Sequence, residues 1–191
     1  IEYEISESRS ISARLGETAI NTSVMAAGIA MIVIFLLMIV FYRGMGVASS
    51  ISLILYAFLY VIFLAIIPNV QLTLPGIAGI VLSIGMAVDA NIVIFERIKS
   101  AYKEGKVNTA FDAGFKTALW TIIDSNVTTI LAAIVLWILC PGTIKGFAIT
   151  LLVGIVLSLF TDILVTRWLL KVMYPLSENK EKFFNLQKEV A

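Results

Sequence analysis

Five windows of this chain, at roughly 24–42, 47–67, 72–95, 118–139 and 147–169, are almost continuously apolar. A run of about 20 such residues is what an α-helix needs to cross the hydrocarbon core of a bilayer. Lipid offers no hydrogen-bond partners, so each crossing segment must satisfy its own backbone N–H and C=O groups, and unbroken windows of this length do so as helices. The expected fold class is therefore an all-α membrane protein with five transmembrane helices. Composition agrees, since 60% of the chain is apolar and only 14% is charged, against roughly a quarter charged in soluble domains.

An odd number of spans puts the two ends of the chain on opposite sides. The first and second spans are joined by "RGMG", the second and third by "PNVQ", and the fourth and fifth by "CPGTIKG"; such tight turns imply antiparallel neighbours. Only "ERIKSAYKEGKVNTAFDAGFK", between the third and fourth, is long. It is expected to hold a short amphipathic cytoplasmic helix, with Val107, Ala110, Phe111 and Phe115 spaced for one apolar face, a simple linker being the alternative. With this loop in the cytoplasm, all of the 14 basic residues except Arg9, Arg14 and Lys145 fall on the cytoplasmic side. That imbalance orients the chain with its N-terminus outside and its C-terminus in the cytoplasm.

The chain starts at Ile1 with the charged "IEYEISESRS" and shows no signal-peptide pattern, so an upstream region is expected to precede it. Residues 1–10 alternate partially, as the last strand of an extracytoplasmic domain would, and "SARLGETAINTS" suits a short helix leading into the membrane. The expected organisation is the end of an outer domain and linker over 1–15, a transmembrane domain over 16–174 and a cytoplasmic tail over 175–191.

Several function classes are disfavoured. The chain has no histidine and a single cysteine, Cys140, which removes the usual metal ligands and leaves intramembrane proton chemistry to Asp or Glu. No nucleophile–base pair or glycine-rich phosphate loop occurs, so no enzyme activity, cofactor or metal is expected. Basic residues flank the spans without forming a patch, which argues against nucleic acid.

What demands a reason is the set of polar residues within the spans. Asp89 lies eight residues before Arg97 and Asp124 eight after Lys116, which puts each about 12 Å from its basic anchor on antiparallel spans. Asp162, about 7.5 Å from Arg167, is shallower and within reach of the interface, and a structural role is expected for it. In the third span Gly79, Ser83 and Ala87 recur every four residues, a small-residue stripe for close helix packing. Gly85, Asp89, Ile92 and Glu96 follow another face. In the fourth, Thr121, Asp124, Ser125 and Thr128 share one face, while Asn126 and Thr129 point elsewhere.

An intramembrane carboxylate is a functional site by default, because low dielectric disfavours its charged form and makes proton uptake and release responsive to surroundings. The proton-relay candidates are Asp89 and Asp124, with Asn91, Ser125, Asn126, Thr128 and Thr129 as polar pathway partners. The alternative is that these residues hydrogen-bond helices together with Asp89 kept neutral.

The segments "LPGIAGIVLSIGMAVDANIVIFERI", "DSNVTT" and "IKGFAITLLVGIVLSLFTDILVTR" resemble the SecD side of the SecD/SecF protein-export family, in the RND superfamily. That resemblance implies helices two to six of a six-helix membrane domain, with a large outer domain between the first two helices. It implies a subunit that works beside the SecYEG channel with a SecF-like partner, using the proton-motive force to help draw preproteins across the inner membrane. It further implies that Asp89 is the proton-linked aspartate, that its charged counterpart comes from the SecF half, and that Asp124 and Asn126 are candidate pathway residues. Ser125 stands where the family commonly has alanine, and Asp162 where it more often has a small or apolar residue. Two other functions are compatible with the spans: half of an RND-type proton-coupled transporter for a small molecule or lipid, and a structural membrane scaffold.

Overall fold

The computed structural model describes residues 13–67, 73–103, 109–140 and 142–176. Among these residues six α-helices run in order: α1 Ala13–Tyr42, α2 Gly44–Ile66, α3 Leu74–Lys103, α4 Ala110–Leu139, α5 Thr143–Phe160 and α6 Arg167–Leu176, with a π-helical segment, Thr161–Thr166, joining the last two. Five of the resulting rods are long and apolar enough to cross a membrane, the fifth being Thr143–Met173, which runs through the π segment.

The expected turns compress further than their sequences show. Arg43 alone separates α1 from α2, at a positive φ of 49°, and α2 then crosses α1 so closely that a methyl group at Gly46 would collide with the Met38 carbonyl. Among the described residues the segment expected to lead into the membrane is helical, but it is continuous with the first span, α1 running unbroken from Ala13. The strand expected over 1–10 and the tail beyond 176 lie outside the described residues.

The separate amphipathic helix expected between the third and fourth spans is also not found among the described residues. The described part of its sequence belongs instead to the ends of α3 and α4, which extend past the bilayer-length windows. The physical reason is that the apolar face has a partner. Phe115 is buried in the main core and Phe111 packs against it, so these residues serve the bundle and not a membrane surface; Val107 is outside the described residues.

The helix α3 is the centre of the bundle, packed most extensively on α5 and α4 and also touching α1 and α2. Its approach to α5 needs the small residues on both helices. A methyl at Gly154 would overlap the Ser83 side chain, and one at Gly79 would overlap the Thr150 hydroxyl. Ser83 and Ala87 are themselves buried. Small residues let two backbones approach and gain dispersion contacts, the attraction that holds helices together where lipid is as apolar as leucine.

Polarity is distributed inside out. Ser49, Ser52, Ser83, Asn91, Thr150, Ser158, Thr161, Asp162 and Thr166 are buried, whereas Val24, Met25, Ile32, Leu36, Val40 and Phe41 along α1 stand exposed. In a bilayer the exposed apolar face carries no penalty, while hydroxyl and amide groups must find partners inside. They do so across helices. Tyr60 donates its hydroxyl to the Thr150 carbonyl at 2.8 Å, and Tyr56 donates to Ser83 Oγ at 3.0 Å.

One end of the bundle gathers the charges. Lys99 pairs with Glu96 at 3.2 Å and sits over the Tyr42 ring, while Asp112 at the start of α4 reaches Lys171 at 3.3 Å and Arg167 at 3.6 Å. These contacts tie α1, α3, α4 and α6 at the side carrying the basic excess.

Candidate functional site

Two polar sites lie on opposite faces of α3. The first is a groove of about 180 Å³ between α3 and α4, lined by Met86, Asp89, Ala90 and Val93 from one helix and Thr121, Ile122, Ser125, Asn126 and Thr129 from the other. Asp89 is exposed on this face of the bundle, and among the described residues no hydrogen bond or ion pair holds it. The hydroxyls around it are turned back on their own helix. Ser125 Oγ donates to the Ile122 carbonyl at 3.0 Å, Thr129 Oγ1 reaches the Ser125 carbonyl at 3.4 Å, and Asn126 Nδ2 donates to the Ile122 carbonyl at 2.7 Å. Each of these groove-lining side chains keeps an oxygen with acceptor capacity beyond its donated bond.

The structure thus brings Asp89 together with Ser125, Asn126 and Thr129. Asp124 and Thr128 are exposed but do not line the groove, and the Thr128 hydroxyl bonds the Ser125 carbonyl at 2.8 Å. The face of α4 that meets α3 is the one carrying Thr121, Ile122, Ser125, Asn126 and Thr129. A close approach at the far end fixes that rotation: a methyl at Gly114 of α4 would lie 2.6 Å from the Ile98 Cα of α3.

Asn91, two residues beyond Asp89, points the opposite way into the bundle and heads the second site. Its amide nitrogen donates to the Ala87 carbonyl at 3.0 Å and to Asp162 Oδ1 at 2.9 Å, and its oxygen accepts from the Thr166 hydroxyl at 2.8 Å. Both nitrogen partners are acceptors, which fixes the amide orientation. Thr166 has one proton and gives it to Asn91, so the contact of 2.9 Å between Thr166 Oγ1 and Ser52 Oγ is donated by the serine. A chain of side chains therefore runs from α2 through the π segment to α3 and back to Asp162.

Asp162 corrects the expectation drawn from its spacing to Arg167. It is 1% exposed, turned inward from the π segment and covered by the bundle. Signals were present in the run of hydroxyl and acid residues "SLFTDILVT" and in the helical spacing of Asp162 from the buried Leu151, Ile155 and Ser158. Among the described residues no three His, Cys, Asp or Glu side chains gather as metal ligands.

Residues 1–175 match the family described as "Protein export membrane protein SecD/SecF, C-terminal". The "Protein translocase subunit SecD" of Acidaminococcus fermentans is 46% identical over 173 residues, covering 89% of this chain and 41% of that protein. The protein of the same name from Dictyoglomus turgidum is 46% identical over 172 residues, 90% of this chain and 43% of that one. Among solved structures, "Crystal structure of SecDF in Super-membrane-facing form" aligns with a TM-score of 0.76 at 38% identity, over 83% of this chain and 22% of that one. The chain spans less than half the length of these curated relatives.

Proposed function

The chain belongs to the SecD/SecF protein-export membrane family, and from that premise we propose that it is the membrane engine of a Sec-associated export subunit, with Asp89 as the group that exchanges protons. The observation carrying this reading is the position of Asp89. A carboxylate in the middle of a transmembrane helix stands on the outer face of the bundle, beside a polar groove and without an ion pair among the described residues. An unpartnered charge facing lipid costs on the order of 2.5–3.5 kcal/mol, which a second membrane subunit could offset by closing over that face. A SecF-like half is the partner of that kind, and its cationic side chain would face Asp89.

The mechanism rests on charge. With Asp89 ionised, the groove attracts water and the partner's cation; with Asp89 neutral, both attractions weaken and α3 packs differently against the covering subunit. Because α3 is in contact with α1, α2, α4 and α5, a shift of this helix is felt by the whole bundle, and an outer domain attached to it would convert the shift into movement of a preprotein leaving the SecYEG channel. Ser125, Asn126 and Thr129 supply oxygen atoms along the groove for a water chain, and Asp124, exposed nearby on α4, is a secondary relay candidate. The orientation that serves this cycle has the basic end of the bundle in the cytoplasm.

The experiment is export driven by an imposed proton gradient in membranes carrying the full-length protein with Asp89→Asn. The variant keeps the shape and removes the titration, so export is expected to fall to the level seen without a gradient. Wild-type export would rule the reading out.

A further inference from the structure

The second site carries an inference of its own. Asp162 Oδ1 accepts one hydrogen bond, from Asn91 Nδ2, while Oδ2 is fully buried and has no hydrogen-bond partner among the described residues. Nor does any cation among those residues compensate it. From α2 the titratable group on this side is Tyr56, whose hydroxyl is donated to Ser83. From α3 comes the neutral Asn91, with Asp89 turned to the outer groove. On α6, Arg167 and Lys171 are engaged with Asp112 at the exposed end. The rest of its own π segment, Thr161–Thr166, contributes hydroxyls and aliphatic side chains only, and on α5 the single basic residue, Lys145, lies at the opposite end.

A buried carboxylate with one donated hydrogen bond and no counter-charge is far less favourable than the same group carrying its proton. We propose that Asp162 is a second proton-binding site, distinct from Asp89, and that the packed arrangement of α2, α3 and the π segment is the protonated form. Its location is suited to exchange. A π turn widens the helix by one residue, disturbs the regular ladder of backbone bonds, and is frequently found at functional sites. Loss of the proton leaves a charge that only water can stabilise, so it favours an arrangement in which the π segment loosens from Asn91 and admits solvent. The site does not depend on Asp89 being the driving group.

Infrared difference spectroscopy of the full-length protein with its partner subunit, in lipid at neutral pH, tests this. Wild type minus Asp162→Asn is expected to contain the carbonyl stretch of one protonated carboxylic acid, slow to shift in heavy water. Asp162→Glu keeps the acid and should move that band without removing it, which serves if the asparagine variant does not fold. The same band must survive in Asp89→Asn. A wild-type spectrum with only the carboxylate stretches at position 162, or a carboxylate band that responds to sodium, overturns the proposal.

Discussion

Asn91 and Asp162, 71 positions apart in the chain, are joined by a hydrogen bond of 2.9 Å inside the bundle. It connects the helix that carries Asp89 to the π segment, and Asn91 also satisfies the Thr166 hydroxyl and the Ala87 carbonyl. Asn91→Leu removes all three contacts and strands buried groups, each worth about 1–3 kcal/mol. Thermal unfolding of the full-length protein should show a clear loss of stability. Combined with Asp162→Leu, the double variant should be less destabilised than the sum, with a coupling of roughly 0.5–3 kcal/mol; strict additivity would mean the two side chains do not interact.

The two tyrosines of α2 test how much interhelical hydrogen bonding contributes in this bundle. Tyr60→Phe deletes the donor to the Thr150 carbonyl, and Tyr56→Phe the donor to Ser83. Such bonds average about 0.6 kcal/mol in a membrane protein, so each variant should lose little. A loss of several kcal/mol in unfolding measurements would show that the hydroxyls hold the fold and not merely its register.

Close packing of α3 on α5 should matter more. Gly154→Val drives side-chain atoms into Ser83 and towards the Tyr56 hydroxyl, 3.2 Å from where a β-carbon would stand. Overpacking of this sort costs about 1–3 kcal/mol. The variant should unfold at lower temperature, and Ser83→Gly in the same chain should restore part of the loss.

Asp124→Asn is expected to reduce gradient-driven export less than Asp89→Asn, because Asp124 does not line the groove. Equal losses, measured in the same membranes, would show that α4 presents Asp124 to the proton path in the assembled complex.

Much of this architecture is legible from the residues because lipid leaves few options: a 20-residue apolar window can only be a spanning helix, and the turns are short. Rotation about each helix axis is what spacing could not supply. Thr121, Asp124, Ser125 and Thr128 do share an arc, yet the arc that meets α3 contains Asn126 and Thr129 and omits Asp124, and it is set by a backbone approach at Gly114. Asp162 was obscured by a different cause. Its spacing to Arg167 speaks only to depth, whereas its burial follows the face of α5 that carries Leu151, Ile155 and Ser158, with which Asp162 is in helical register.

The central claim, that Asp89 exchanges protons during turnover, is tested most directly by proton flux across vesicles containing the full-length protein and its partner. The account predicts a gradient-driven flux in the wild type that disappears in Asp89→Asn while the complex stays assembled. An undiminished flux in that variant would contradict it.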